Sequence, residues 1–111
     1  ENAMRNELIN PVAVQTTKVG PNRGKAKQRV WIEGNNLIAA GFTRGIRYSR
    51  TLVNGSIVLE PVPADYDGKA YKVSGKAEKP IIDIVGKIIV DNFGHLDSVP
   101  VAFYRGAIVV G

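Results

Sequence analysis

Residues 30–34 have the sequence Val-Trp-Ile-Glu-Gly, and residues 82–86 have the sequence Ile-Asp-Ile-Val-Gly. In both stretches apolar β-type residues occupy alternate positions ahead of a glycine, which is typical of a short strand that ends at that glycine. A shift of 52 positions superposes the two stretches. After a gap of one residue, the residues that follow each stretch align with a shift of 51 positions, so that Phe42 matches Phe93. Residues 30–59 therefore have a counterpart near the C-terminus, and this predicts an internal duplication.

Each copy is predicted to contain a strand, a short helix, an extended run, a tight turn and a final strand. In the first copy Asn35 or Asn36 is placed to cap the helix. An Asn-Gly pair between β-type runs is a strong hairpin signal, because both residues accept positive φ. The predicted helices are 37–40 and 87–92, and the predicted turns are Asn54-Gly55 and Arg105-Gly106.

A single copy would leave the apolar faces of its strands in water. Two copies related by an approximate two-fold axis can cover each other and close the sheet, which removes its edges. The sequence therefore predicts a mainly β fold with short helices: a small closed β-barrel built from two pseudo-symmetric strand-helix-strand-strand halves.

The length of 111 residues fits one domain. The predicted boundaries are a tag remnant at 1–3, an N-terminal strand and basic arm at 4–28, and one barrel domain at 29–111, whose halves 29–60 and 80–111 are joined by a linker at 61–79. The arm is predicted because residues 18–29 are rich in glycine, proline and lysine, as loops are. Residues 1–3 precede Met4 and have the character of a cleaved tag, so they carry no weight in the fold.

The composition excludes several classes of site. The chain has no cysteine, so a disulfide framework, a thiolate metal site and a cysteine nucleophile are excluded. No apolar run approaches the roughly 20 residues that span a bilayer, and the N-terminus carries no basic-then-apolar signal sequence. We therefore expect a cytoplasmic protein with no membrane partner.

Positive charge is concentrated in one part of the sequence. Between residues 18 and 50 there are eight basic side chains and one acid, whereas residues 51–111 hold six basic and seven acidic side chains. Such asymmetry favours a polyanionic partner such as nucleic acid. The alternative is a solvated surface that keeps the protein in solution. The candidate nucleic-acid-binding residues are Arg23, Lys25, Lys27, Arg29, Arg44, Arg47 and Arg50.

Strand alternation predicts how some of these side chains point. If Tyr48 faces the core, Arg47 faces solvent, and Arg50 points inward unless a bulge redirects it. Trp31 lies on the opposite face from its apolar neighbours, which leaves it partly exposed. An exposed tryptophan can stack on a base, and the alternative is that it covers an end of the core.

No catalytic, metal or cofactor site is expected. His95, Asp97 and Ser98 are the residue types of a nucleophilic triad, but neighbours in sequence do not have triad geometry, and Asp97 is better suited to closing a turn. The single histidine has no acid-rich cluster to complete a metal site. Gly20 and Gly24 lack the lysine-serine ending of a phosphate-binding loop. We therefore expect a non-enzymatic protein.

Residues 30–59 contain two motifs, Val30-Trp-Ile-Glu-Gly-Asn-Asn-Leu-Ile-Ala-Ala-Gly-Phe-Thr-Arg-Gly-Ile-Arg-Tyr48 and Asn54-Gly-Ser-Ile-Val-Leu59. Together they resemble the SymE family, the toxin-like relatives of the SpoVT/AbrB swapped-hairpin, or cradle-loop, fold. Residues 93–101, Phe-Gly-His-Leu-Asp-Ser-Val-Pro-Val, resemble the glycine-aspartate turn of AbrB, with Asp97 at the aspartate position and Leu96 where that family has glycine.

The AbrB-like resemblance implies both a fold and a function. AbrB-like proteins build their barrel from two chains, so the resemblance implies that this chain supplies both halves. It also implies nucleic-acid binding, because AbrB relatives hold DNA with arginines beside the barrel and SymE is regarded as an RNA-directed toxin.

A second resemblance lies in the segments Lys18-Val-Gly-Pro-Asn-Arg-Gly24 and Lys72-Val-Ser-Gly-Lys-Ala-Glu-Lys-Pro-Ile-Ile-Asp-Ile84. They are similar to a region ahead of the catalytic domain in some prophage cytosine DNA methyltransferases. Those enzymes attack the base with a cysteine, which this chain lacks, so the similarity implies an accessory domain.

The favoured function is a non-catalytic nucleic-acid-binding domain, with DNA favoured over RNA, that is regulatory or accessory to a DNA methyltransferase or a mobile element. Two alternatives stay open: a SymE-like toxin that acts on RNA, and a protein-interaction module without nucleic-acid binding. A homodimer and a methyltransferase partner also stay open.

Overall fold

The structure, a computed structural model, describes residues 10–111. The predicted tag remnant at 1–3 and the start of the predicted N-terminal segment, 4–9, lie outside the described residues. The described chain forms nine strands and two short helices: β1 (Ala13–Asn22), β2 (Lys25–Glu33), α1 (Asn35–Ala39), β3 (Arg47–Val53), β4 (Ser56–Pro61), β5 (Tyr71–Lys72), β6 (Ser74–Lys76), β7 (Lys79–Val85), α2 (Lys87–Phe93), β8 (Ser98–Tyr104) and β9 (Ala107–Val110).

The strands pair antiparallel in one sheet, in the order β5-β3-β4-β9-β8-β1-β2-β7-β6. The two edge strands, β5 and β6, are consecutive in the chain and separated by Val73 alone. The N–H of Val73 donates to the carbonyl of Ile46 (2.9 Å), and its carbonyl accepts from the N–H of Gly45 (2.9 Å). The bent segment β5–β6 therefore joins the two sheet edges, and the predicted small β-barrel is confirmed as a nearly closed one.

The two halves are related by an approximate two-fold axis. The pairs of β2 with β7 are Val30–Ile84, Trp31–Asp83 and Ile32–Ile82, and those of β4 with β9 are Ile57–Val110, Val58–Val109 and Leu59–Ile108. When each residue is replaced by its counterpart in the other half, the pair Val30–Ile84 becomes the pair Ile82–Ile32, whereas Trp31–Asp83 becomes itself. The pairs of β4 with β9 behave in the same way, with Val58–Val109 unchanged. The axis therefore passes through the Trp31–Asp83 and Val58–Val109 pairs, on opposite sides of the ring of strands.

The repeat extends further than the sequence predicted. The N–H of Val19 donates to the carbonyl of Asp97 (2.9 Å), as that of Val73 donates to Ile46 (2.9 Å), and Asp97 is the counterpart of Ile46. Strand β1 lies between β8 and β2, and β5–β6 lies between β3 and β7, which are the counterparts of those strands. The predicted N-terminal strand and arm at 4–28 and the predicted linker at 61–79 therefore each contribute an equivalent strand of the barrel.

The basic segment 18–29 is a β-hairpin and not the predicted loop or arm. Its turn residues Arg23 and Gly24 have φ of 51° and 80°, as a two-residue hairpin turn requires. The register of β1 and β2 shifts near this turn, which marks a bulge, and Lys27 has φ of 61°. The composition indicated a loop, but pairing of β1 with both β2 and β8 overrides these local preferences.

The barrel interior is filled by inward-facing side chains of both halves and by one side of each helix. Burying a side chain of this kind stabilises the fold by about 1.5–3 kcal/mol relative to leaving it exposed. A half without its partner would expose many of them, so the halves fold as one unit. The residues with 0% exposure are Val30, Ile32, Leu37, Phe42, Ile57, Leu59, Ile82, Ile84, Ile89, Val99, Val101, Phe103, Ile108 and Val110.

Each helix begins at a glycine, and the predicted asparagine cap of the first helix is wrong. Gly34 has φ 95° and ψ −154°, and Gly86 has φ 110° and ψ −152°, in a region that is essentially open to glycine only. The N–H of Gly34 donates to the carbonyl of Pro80 (3.1 Å), and that of Gly86 donates to the carbonyl of Gln28 (2.9 Å). The matching glycines therefore make the same sharp exit from strand to helix in both halves.

Replacing Gly34 or Gly86 with alanine is expected to lower the free energy of unfolding by about 1–3 kcal/mol, since alanine rarely adopts this backbone conformation. The loss is conformational, because an added Cβ has nothing within 4 Å beyond the neighbouring residues. Gly20→Ala is the matched control, since its added Cβ approaches only the carbonyl oxygen of Arg29, at 4.0 Å. Urea unfolding measures all three, and equal stability of Gly34→Ala and Gly20→Ala would contradict the expectation.

Candidate nucleic-acid interface

Three of the seven candidate cations lie on or near the β1–β2 turn. Arg23 and Lys25 are exposed at the tip of the hairpin. The Lys27 ammonium donates to the carboxylate of Asp97, and this bond holds the pKa of Asp97 below its ordinary value. Lys27 therefore ties the hairpin to the loop ahead of β8, whereas Arg23 and Lys25 face solvent.

Arg29 and Trp31 form a cluster on the outer face of β2. Arg29 Nε lies 3.0 Å from Asp83 Oδ1, and its guanidinium carbon lies 5.5 Å from the centroid of the Trp31 ring, within cation–π range. The indole N–H of Trp31 donates to Glu33, which also pairs with Lys79 at 2.8 Å. The predicted partial exposure of Trp31 is confirmed at 40%, and the ring lies on the outside of the barrel.

The Glu33 carboxylate anchors the edge of the indole ring. The hydrogen bond from Lys79, and after it the bond from Trp31, lowers the pKa of Glu33. The bond to Glu33 in turn raises the pKa of Lys79. Both groups are therefore charged at neutral pH, and the acceptor of the indole N–H persists there.

Arg44, Arg47 and Arg50 do not form one cluster. Arg44 is exposed in the loop between α1 and β3. Arg47 lies opposite Lys72 in register, and its Nη1 donates to the carbonyl of Ala64 (3.3 Å). Arg50 lies on the same face of β3 as the buried Tyr48, as expected for an inward-pointing side chain.

Arg50 ends a stack of aromatic side chains. Its guanidinium carbon lies 3.4 Å from the centroid of Tyr71. The Tyr71 ring lies 5.9 Å from Tyr48, which meets Phe42 edge-to-face at 6.0 Å. The Arg50 Nε is buried without a hydrogen-bond partner among residues 10–111. The ring of Tyr71 thus holds this cation, and a role of Arg50 at a phosphate stays a prediction.

Three shallow grooves, each of roughly 500 Å³, adjoin one another on the outer surface of the barrel. The first groove is lined by Arg44, Lys72 and Gly75, among other residues. The second groove shares Gly75 with the first and adds Lys76, Lys79 and Trp31. The third groove shares Trp31 with the second and adds Arg29 and Lys18. The tryptophan and the six cations therefore form one continuous surface, which we call the basic face.

Sequence reasoning included only Arg29 and Arg44 of the basic face among its candidate residues. The three lysines of β5, β6 and β7 were missed because they lie in the half with more acids than bases. Lys72 lies opposite Arg47, and Lys18 lies opposite Ser98. Because Arg47 and Ser98 are counterparts in the two halves, Lys72 is the counterpart of Lys18. The sequence signal for this match is the Lys-Val pair at 18–19 and again at 72–73.

A second outer surface, on the other side of the ring of strands, has no charged side chain along its central row. Cross-strand neighbours in register form this row, in the order Val14, Ala102, Val109, Val58 and Thr51. Val14 is 63% exposed and the nearby Val12 is 42% exposed. We call this row with Val12 the apolar face. It surrounds one end of the two-fold axis, and the basic face surrounds the other.

Within residues 10–111, no group of three or more histidine, aspartate or glutamate side chains could hold a metal ion. His95, Asp97 and Ser98 are all exposed, and Asp97 accepts its bond from Lys27. Neither helix in this part of the chain is long and apolar enough to cross a membrane.

The fold and its surface define a small β-barrel domain with one basic and one apolar outer face. Comparison of the chain with protein-family models, with characterised proteins and with solved structures finds no match in any of the three. The resemblances to the SymE, AbrB-like and methyltransferase families therefore stay predictions.

The buried Tyr48 is expected to make the barrel less stable at high pH. Burial raises the pKa of Tyr48 above its ordinary value of 10.0. The neutral phenol therefore contributes stability that is fully present below pH 10.0 and is lost as the pH rises through the folded-state pKa.

Tyr48→Phe is expected to give an unfolding free energy that falls less steeply with pH than that of the wild type above about pH 10. The same substitution at the exposed Tyr66 is the matched control. Urea unfolding between about pH 8 and about pH 11 measures both slopes. A Tyr48→Phe slope equal to that of the wild type would show that this phenol does not govern the alkaline loss.

Proposed function

We propose that this chain is a non-catalytic nucleic-acid-binding domain, with DNA as the favoured ligand, that holds the polyanion on its basic face. The observation that carries the proposal is the continuity of that face. Cations from five strands and one loop line adjoining grooves around a single exposed tryptophan. A polyanion that follows the grooves would meet positive charge along its whole path.

Four cations of the basic face form no ion pair with any carboxylate of residues 10–111. Arg29 and Lys79 already pair with Asp83 and Glu33. Among residues 10–111, no carboxylate oxygen lies within 4.0 Å of the remaining four cations, which are Lys18, Arg44, Lys72 and Lys76. Such cations bind phosphate without first leaving a carboxylate of residues 10–111, and the release of counterions from the nucleic acid drives the association.

A regulatory or accessory role agrees with the resemblances in the sequence. Two equivalent halves in one chain are what an AbrB-like barrel made from a single polypeptide would contain. The preference for DNA comes from that resemblance and from the similarity to the region ahead of methyltransferase catalytic domains. The basic face itself suits phosphates of either DNA or RNA.

The double variant Arg44→Ala/Lys72→Ala is expected to bind DNA more weakly than the wild type at fixed salt, because both side chains line the same groove. The slope of the logarithm of affinity against the logarithm of salt concentration should shrink by about 0.9 for each phosphate that the variant no longer neutralises. Fluorescence anisotropy of labelled DNA at several salt concentrations measures both quantities.

Lys87→Ala/Arg105→Ala is the matched control, since it removes the same charge from two exposed positions away from the grooves. Equal losses in the two double variants would mean that net charge alone drives binding. No binding of DNA by the wild type near physiological salt would refute the proposed function.

A protein-interaction module is the second candidate, and the apolar face favours it. Contiguous exposed apolar surface marks sites of association. A second copy of this chain is the occupant that suits it best, because two apolar faces can meet across a two-fold axis without bringing the positive charges together. The chain carries a formal charge of +5, so contact through the basic faces would be repulsive.

Val14→Glu is expected to abolish such a dimer, because it places a charge at a position of the apolar face that is 63% exposed. Val90→Glu, on α2 and 41% exposed, is the matched control. Sedimentation velocity over a range of protein concentrations reports the oligomeric state. A wild type that stays monomeric throughout that range would eliminate the dimer.

A further inference from the structure

We infer that the basic face binds a single strand of nucleic acid, one base of which stacks on Trp31. The inference deepens the proposed function and rests on it. It assigns the class of ligand, single-stranded DNA or RNA, from the shape of the surface around the indole ring.

Trp31 is an exposed aromatic in the middle of a sheet whose inner face is closed. Its neighbours along β2, Val30 and Ile32, are both 0% exposed, whereas Trp31 itself is 40% exposed. The residue opposite it across the strand pair is Asp83, which is engaged by Arg29 and offers no apolar cover. The ring therefore lies partly exposed between two grooves, with the Arg29 guanidinium carbon 5.5 Å from its centroid.

A glycine lines the groove on each side of the ring. Gly20 of β1 lines the groove on one side of Trp31, and Gly75 of β6 lines the groove on the other. Gly75 has φ of 82°, and a Cβ there would lie 2.4 Å from the carbonyl oxygen of Lys79, so the backbone at this position requires glycine. Gly20 has no positive φ and no such close contact, because a Cβ there would meet only one atom, at 4.0 Å. The open space beside Trp31 is what a ligand in the groove would occupy.

The indole ring is held in place before any ligand arrives. Its N–H donates to Glu33, and Glu33 is in turn held by Lys79. A fixed aromatic platform loses little conformational entropy when a base stacks on it. Cations lie on both sides of the platform, Lys18 and Arg29 in one groove and Lys76 and Lys79 in the other.

This arrangement favours a single strand over a duplex. Base–aromatic stacking requires a base whose flat face is free, and in a duplex the faces are already covered by neighbouring base pairs. A single strand can place one base on Trp31 while its phosphates run through the grooves on either side. The lysines supply charge without base specificity, so the binding is expected to tolerate many sequences.

The intrinsic fluorescence of the wild type provides the test, because Trp31 is the only tryptophan in the chain. Titration with oligothymidylate and with oligouridylate is expected to quench the indole emission, with an affinity that falls as salt is added. Heparin, a polyanion without bases, and a DNA duplex of equal length are expected to bind with much less quenching. The two oligonucleotides also show whether deoxyribose or ribose is preferred.

Trp31→Ala is expected to weaken oligothymidylate binding by about five- to a hundredfold, measured by anisotropy of a labelled strand. Trp31→Phe keeps an aromatic face and should recover most of that loss. Neither change should alter heparin binding by more than about twofold, since no cation is removed. Circular dichroism verifies that both variants fold. If Trp31→Ala does not fold, the quenching of the wild-type fluorescence still tests the stacking site.

The outcomes separate this inference from the proposed function. Duplex bound more tightly than single strand, with little quenching and no effect of Trp31→Ala, would overturn the stacking site and leave a basic face that binds DNA. Equal quenching by heparin and oligothymidylate would also overturn stacking. Absence of binding to every nucleic acid tested would remove the proposed function together with the inference.

Discussion

Two antiparallel strand pairs, β2 with β7 and β4 with β9, join the halves of this protein, and the rest of the structure depends on them. Their inward residues are entirely removed from water, for example Ile32 opposite Ile82 and Leu59 opposite Ile108. Each buried side chain of this size contributes about 1.5–3 kcal/mol. Neither half can cover these faces alone, so the duplicated unit becomes a barrel only when both copies are present.

The two-fold relation holds for the backbone and the core, but it fails on the surface, and the candidate function depends on that failure. Trp31 has Asp83 as its counterpart, and Arg29 has Ile81. In the helix-to-strand loops and the strands after them, Arg44 is matched by His95 and Arg47 by Ser98. The basic face is therefore not symmetric about the axis, because a single tryptophan, Trp31, lies there opposite Asp83.

The elements that the sequence predicted well are those that local rules determine. Strand alternation and the glycines at matching positions placed β2, β7 and the β3–β4 and β8–β9 hairpins within a few residues of where they lie. The turn at Asn54-Gly55 adopts positive φ at both residues, 50° and 84°, as its composition indicates. The start of each helix was harder, since Gly34 and Gly86 act through a backbone conformation and not through a capping side chain.

The elements that the sequence predicted only in part depend on contacts between distant parts of the chain. Strand β1 starts within the predicted N-terminal strand and continues into the predicted basic arm, and the segment β5–β6 lies in the predicted linker. Their loop-like residues form strands because neighbours on both sides pair with them. The candidate site likewise depends on contacts that local sequence rules do not determine. Partial exposure of Trp31 followed from alternation, but its anchoring by Glu33 and Lys79 and the contribution of Lys72 and Lys76 require the barrel to be closed.

If the basic face holds nucleic acid, the contacts lie around Trp31, at one end of the two-fold axis. Amide chemical-shift mapping of the ¹⁵N-labelled protein during titration with single-stranded DNA locates these contacts. We expect the largest shifts on the Trp31 indole N–H and on residues of β2, β5, β6 and β7, with little change around Val58 and Val109. Shifts concentrated around Val58 and Val109, or spread evenly over the surface, would contradict it.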